Sequence, residues 1–303
     1  MMGDAVAPQV SSILGRVAGL FVNVQGGVDD ERLEHAVSGK VVVVTGASRG
    51  IGAATARRLG AAGATVLLAA RSAEPLAEVA RDIEARGGTA EAHPVDLSDP
   101  EQARWLAQAA LERHGHVDVL VSNAGKSINR SVKASIDRFH DYQRTVDLNY
   151  LGPVQLVLAL LPSMLERRSG HLVNVSTAGV FAPAPVGWSA YIGSKTAFDV
   201  FLRSAELELA DDGIEITSIY MTLVETDMSA PSMDNFRYVP ALSAEEAADR
   251  VCAGIARSSS RVAPWWTTPA AVWGSVSHLS GNLATRSYLR VSRQITRRSR
   301  EDD

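Results

Sequence analysis

From Lys40 onward, short apolar runs alternate with longer amphipathic stretches. Residues 40–45 (KVVVVT) carry an unbroken β-branched run after the lysine, which predicts a strand buried on both faces. A helix follows over 50–62, then a second strand over 65–70 (TVLLAA). The next helix, 73–86, stops at the pair Gly87-Gly88. Residues 89–95 form a weaker third strand, and Pro100 stands in the first turn of a helix that runs to His114. Residues 117–122 (VDVLVS) predict the fourth strand. A long helical pattern covers 137–168, with bends expected at Pro153 and Pro162. The fifth strand is 171–176 (HLVNVS), the next helix 189–212, and the sixth strand 214–220 (IEITSIY). Ser243 is placed to cap a last helix, whose first turn carries Glu245 and Glu246 to complement the dipole.

Repeated strand–helix units with continuous apolar strands imply a parallel sheet covered by helices on both faces. Right-handed crossovers then give an α/β fold with a Rossmann-type, doubly wound parallel sheet. A single catalytic domain accounts for 39–263. Residues 1–38 read as an N-terminal extension and 264–303 as a C-terminal appendage. Residues 221–242 lack periodicity and read as a substrate flap.

Composition adds exclusions. Of the 303 residues, 46% are apolar and 21% charged, an ordinary balance for a globular chain able to bury a large core. The net charge of -4 gives no pull toward nucleic acid. One cysteine, Cys252, excludes an intramolecular disulfide and fits a reducing compartment, so a cytoplasmic location is expected. The seven histidines show no metal-binding spacing, and no metal is expected. His114 and His116, beside a glycine, read as exposed loop residues. Residues 10–24 (VSSILGRVAGLFVNV) are too short to span a bilayer, contain Arg16, and follow Asp4 rather than a basic cluster. They read as a short amphipathic appendage.

The first strand runs into Thr45-Gly46-Ala47-Ser48-Arg49-Gly50-Ile51-Gly52. Glycines between a buried strand and a helix let backbone approach a pyrophosphate at the helix N-terminus. The second strand ends in Ala70-Arg71, where a carboxylate would meet a free ribose hydroxyl. Arg71, with Arg49, instead suits a 2′-phosphate, which selects NADP(H). Tyr191-Ile192-Gly193-Ser194-Lys195 opens a helix, and a spacing of four puts the tyrosine and lysine on one face. The ammonium is expected to lower the phenol's pKa toward neutrality, so that the tyrosine trades a proton with a carbonyl oxygen. Ser176, at the carboxyl end of the fifth strand, stands where such sheets hold their ligands. Thr177 is a lesser substitute.

The TGxxxGxG turn, Ser122-Asn123-Ala124-Gly125 and the Tyr191/Lys195 pair together resemble the short-chain dehydrogenase/reductase family over about residues 38–260. The resemblance implies a catalytic tetrad of Asn149, Ser176, Tyr191 and Lys195, with Asn149 holding a water that links the lysine to solvent. It implies cofactor contacts from Gly46, Ser48, Arg49, Gly50, Ile51, Gly52, Arg71, Asp96, Leu97, Asn123, Ala124, Gly125, Tyr191 and Lys195. Val224 and Thr226 match the nicotinamide contacts after the sixth strand, whereas Met221-Thr222 replaces the family's usual Pro-Gly. On its own, Asp96 reads equally well as a cap for the following turn.

The runs SINRSV, DRFHDYQRTVDLNYLG, LLPSMLERRSGHLVNVS, IYMTLVETDMSAPS and VPALSAEEAA resemble the bacterial fatty acyl-CoA reductase branch. That likeness implies NADPH-dependent reduction of an apolar carbonyl substrate, a long-chain acyl thioester or aldehyde, with Leu223, Met228, Met233 and Phe236 as a wall for the chain. Reduction of a compact ketone, such as a polyketide or steroid, is the alternative; a non-catalytic nucleotide-binding regulator is a third reading, which an intact tetrad disfavours. The family implies a homodimer or homotetramer. In the C-terminal appendage, Trp265, Trp266 and Trp273 precede Arg286, Arg290, Arg293, Arg297, Arg298 and Arg300. That pattern suits either peripheral contact with an anionic membrane or packing on the protein with solvated arginines.

Overall fold

The unbroken apolar runs become strands because both of their faces are covered. The computed structural model describes residues 27–181, 186–236, 239–264 and 267. Among these, seven strands form one parallel sheet: β1 (Val41–Thr45), β2 (Thr65–Ala70), β3 (Thr89–Pro94), β4 (Val119–Ser122), β5 (Gly170–Thr177), β6 (Ile214–Met221) and β7 (Arg261–Val262). Their spatial order is β3-β2-β1-β4-β5-β6-β7. In β1, Val42 and Val44 join one core, with helices α2 (Gly50–Ala61), α3 (Ala73–Glu84) and α8 (Ala244–Arg257). Val41 and Val43 join the other, with α4 (Pro100–His114), α6 (Gly152–Arg167) and α7 (Ser189–Glu208). The order reverses between β1 and β4, the point where an open sheet leaves a crevice beyond its strand ends.

Helix α1 (Asp30–Val37) lies within the segment read as the N-terminal extension. Asp29 caps it by accepting from Arg32 N, and its Leu33 and Val37 are buried in the α2/α8 core. Residues 27–38 are therefore integrated into the packed structure. At the other end, Ser243 and Glu246 form the reciprocal capping box of α8.

The long helical segment is continuous over Phe139–Arg167. It consists of α5 (Phe139–Val146), a π turn over Asp147–Leu151, and α6. Pro153 lies just after the π turn, at the start of α6, and Pro162 lies inside α6. Gly152 packs against the Leu97 carbonyl where a side chain would stand, and its own N–H reaches back to Asp147 O. The wide turn thus seats the helix against the β3–α4 loop. With mean hydropathy 1.4 the segment is apolar enough to cross a membrane, yet Leu156, Val157, Leu160 and Met164 are buried against the sheet. The histidine expectation also needs correction: His114 closes α4 with its side chain 17% exposed, 3.3 Å from Glu91. His116 lies 3.2 Å from Asp118. Nearby carboxylates hold both rings partly covered.

Candidate active site

The glycine turn is locked to the end of β4 by one hydroxyl. Thr45 Oγ1, fully buried, accepts from Asn123 N (2.9 Å) and Ala124 N (3.0 Å) and donates to Val121 O (3.2 Å). The Asn123 amide returns a bond from Nδ2 to Thr45 O at 2.9 Å. Gly46 adopts φ +65°, and a Cβ there would lie 2.9 Å from Ala124 Cα; at Gly52 a Cβ would run into Gly46 O. Both positions demand glycine, so the strand ends close to the van der Waals limit. Arg49, at the N-cap of α2, makes no side-chain cap. The first-turn amides of Gly50, Ile51 and Gly52 therefore keep donors that suit a phosphate. Ser48, partly exposed, precedes them, and Thr226 Cγ2 would lie 3.2 Å from a Cβ at Gly50.

Beyond β4 and β5 the four tetrad positions converge. Asn149 sits in the π turn, buried, with its amide fixed on Lys126: Nδ2 donates to Lys126 O (2.9 Å) and Oδ1 accepts from Lys126 N (2.8 Å). Its Nδ2 also donates to Ser194 Oγ at 2.9 Å, and Ser194 donates to Tyr191 O at 2.8 Å. One chain of bonds therefore joins the loop after β4, the π turn and the first turn of α7. Lys195 is buried and donates from Nζ to Val175 O at 3.0 Å. Gly125 faces both Asn149 and Lys195: a Cβ there would stand 3.3 Å from Asn149 Oδ1 and 3.5 Å from Lys195 Nζ. Ser176 Oγ is buried without a hydrogen-bond partner among the described residues. One turn past Lys195, Asp199 accepts from Tyr220 OH at 2.6 Å and fastens α7 to β6.

The electrostatics correct one expectation. Burial pushes the Tyr191 phenol up to about 12, against the opposing pull of a hydrogen bond with Thr177. Burial lowers Lys195 to about 8. Desolvation of the phenolate thus outweighs the hydrogen bond with Thr177, while the Lys195 ammonium donates to Val175 O. At neutral pH the phenol is protonated, ready to donate.

At the rim, Arg71 is exposed at the end of β2. Arg49 pairs with Asp227 of the flap at 3.1 Å, both side chains well exposed. Asp96 accepts from Ser98 N (3.0 Å) and Ser98 Oγ (2.7 Å), so it does cap its turn, while Leu97 is buried in the core. The ends of the flap are tied: Val224 bridges Leu242, with Leu242 N to Leu223 O and Glu225 N to Leu242 O both 2.9 Å. Ser229 accepts from Thr226 N at 3.0 Å and donates to Val224 O at 2.6 Å, pinning the turn. Met221 extends β6 by one residue beyond the expected strand, paired with Thr177 and buried. A proline there could not donate to the ladder. Leu223 and Met233 are partly buried and Met228 is exposed; the Phe236 side chain and the tryptophans and arginines of the C-terminal appendage lie outside the described residues, as do residues 10–24.

Residues 40–236 match the family model of the short chain dehydrogenases. The chain belongs to that family. Like its relatives, this short-chain dehydrogenase is an NAD(P)-dependent oxidoreductase acting on a small molecule. It is 49% identical over 227 residues to a fatty acyl-CoA reductase of Acinetobacter baylyi, covering 75% of this chain and 76% of that one. A second fatty acyl-CoA reductase, from Mycobacterium tuberculosis, is 41% identical over 75% of this chain and 77% of its own. A metagenomic short-chain oxidoreductase solved in complex with NADP superposes with a TM-score of 0.63 at 33% identity, over 73% of this chain and 92% of that one. The free amides of α2 and the glycine crevice fit the pyrophosphate of a dinucleotide. Sequence reading of this dehydrogenase missed two residues of the site. Both stand inside the quoted motifs, Thr45 at the head of the TGxxxGxG turn and Ser194 between Tyr191 and Lys195, where spacing alone assigns them no role.

Proposed function

We propose that this dehydrogenase reduces long-chain fatty acyl thioesters to aldehydes with NADPH. The observation that carries the chemistry is the buried, unpartnered hydroxyl of Ser176 at the end of β5, next in the chain to the Thr177 that hydrogen-bonds the desolvated Tyr191. Donors on Ser176 and Tyr191 suit one carbonyl oxygen. The nicotinamide, when bound, supplies the hydride. Ser176 and Tyr191 orient the oxygen, and Tyr191 gives up its proton as negative charge gathers there. Lys195, one helical turn on and anchored to Val175 O, steadies the phenolate that remains. Asn149 and Ser194 hold that turn of α7 in place. The Tyr191 phenolate then takes the hydroxyl proton back from the resulting hemithioacetal as its C–S bond breaks, so that the aldehyde and the thiolate leave and the phenol is restored.

Likeness to two fatty acyl-CoA reductases supports the thioester. Arg71 and Arg49 at the rim support NADPH over NADH. Leu223, Met228 and Met233 offer the flap's apolar side to the chain. Leu151 and Leu158 on the long helix, with Val200 and Leu207 on α7, are exposed and suit burial in a homo-oligomer. A series of acyl-CoAs of increasing length tests the substrate: each buried methylene contributes about 0.8 kcal/mol, so kcat/KM should climb steeply. A flat series with active ketone reduction would favour a compact ketone instead.

A further inference from the structure

Residues 126–144 carry Lys126, Arg130, Lys133, Arg138 and Arg144 against Asp137 and Asp141, in a chain whose net charge is -4. Their arrangement is unusual. Asp141, with its side chain 3% exposed, receives Arg130 Nε (3.1 Å), Arg138 Nε (2.9 Å) and Arg144 Nη2 (2.8 Å), with His140 Nε2 at 3.3 Å. One carboxylate cannot neutralise three guanidiniums, so two positive charges are left over even with His140 neutral. Arg130 and Arg138 bind through Nε, and among the described residues their terminal nitrogens meet no protein acceptor. The three arginine side chains are 36%, 41% and 52% exposed. The carboxylate therefore works as an anchor: it fixes the stems and leaves the outer ends of the forks turned to solvent. Guanidiniums held this way lose little side-chain entropy when an anion arrives.

The cluster borders the active site. Arg130 N donates to Gly187 O at 2.7 Å, four residues before Tyr191. Tyr142 OH bonds Ser189 Oγ at 3.1 Å in the first turn of α7. Lys126, whose backbone holds Asn149, is within electrostatic range of Arg144 and of Arg71. Phe139 and Ile136, both well exposed, stand in the same stretch.

We infer that the Arg130–Arg138–Arg144 cluster is the docking site for the phosphates of a coenzyme A thioester, beside the dinucleotide crevice. This rests on the thioester reading above. A diphosphate and a 3′-phosphate present several negative charges to planar donors that bind them bidentately. An adenine ring finds an aromatic and an aliphatic surface in Phe139 and Ile136.

The test uses the full chain saturated with nicotinamide cofactor, so that the dinucleotide crevice is filled. Binding of free coenzyme A is measured by calorimetry for wild type and for a variant carrying Arg138→Gln and Arg144→Gln. The variant should bind about tenfold more weakly. Its KM for dodecanoyl-CoA should rise in proportion with little change in kcat, while the phosphate-free dodecanoyl N-acetylcysteamine thioester is turned over as by wild type. Lysines at both positions should restore most of the binding. Wild-type affinity for coenzyme A should fall with added salt, a readout that needs no variant. Coenzyme A binding that is insensitive both to salt and to the substitutions would overturn the assignment, as would equal KM increases for the two thioesters. A loss confined to an acyl carrier protein substrate would assign the cluster to an acidic protein and likewise overturn it. Failure of the thioester reading shows separately, as the absence of thiol release from either substrate while coenzyme A binding still follows the arginines.

Discussion

Replacing Thr45 by valine removes one hydroxyl at the point where β1, β4 and the glycine turn meet, and leaves the side-chain shape almost unchanged. The amides of Asn123 and Ala124 then lose their acceptor, and Val121 O loses a donor. Each stranded buried polar group costs about 1–3 kcal/mol. Asn123 and Ala124 are only partly buried, so water can relieve part of this. A net loss of about 2–4 kcal/mol follows, a large share of the ~5–15 kcal/mol that a typical fold commands. The loosened end of β4 should also weaken dinucleotide binding, because Ala124 packs on Gly46. Urea unfolding gives the stability change through a lower midpoint at constant slope, and fluorescence titration gives the cofactor affinity. Thr45→Ser keeps the hydroxyl and should recover most of both. A valine variant within about 0.5 kcal/mol of wild type, or a serine variant as damaged as the valine one, would refute the role assigned to the hydroxyl.

Tyr191→Phe should abolish turnover while cofactor affinity stays near wild type, since only the proton donor is lost; appreciable reduction by that variant removes Tyr191 from the mechanism. Arg71→Asp should shift preference from NADPH toward NADH, read as kcat/KM for each; a wild-type enzyme that already prefers NADH contradicts the rim assignment. Burial holds His171 down at about 4, where it bonds Thr217 Oγ1 at 2.8 Å. In the unfolded chain it titrates near ~6.5. Between those values the unfolded chain binds more protons, so this stability is complete above pH ~6.5 and drains away as pH falls toward 4. About 2 kcal/mol should be lost between pH 7 and pH 5 on this account. His171→Gln should make the decline shallower, and parallel pH curves for the two proteins would count against it.

Much of the fold was legible because its rules are local. Valine runs with both faces buried announce parallel strands, Pro100 and Ser243 mark helix starts, and the glycines sit where the backbone needs them. The π turn was not legible, because its cause is a helix seated against the Leu97 carbonyl from a different element. The same holds for the partners of Thr45, which lie more than seventy residues away, and for Asp141, whose three arginines come together only in the fold. Residue spacing put Tyr191 and Lys195 on one face but could not weigh burial against charge, and the direction of the tyrosine's shift came out reversed.

Thiol release measured alongside NADPH oxidation tests the central claim most directly. Purified enzyme is given dodecanoyl-CoA and NADPH, with free thiol followed by a chromogenic disulfide and NADPH by its absorbance. Thioester reduction predicts one thiol for each NADPH consumed in forming the aldehyde, and no release without NADPH or in the Tyr191→Phe variant. NADPH oxidation with a ketone substrate, together with no thiol from any acyl-CoA, would contradict it.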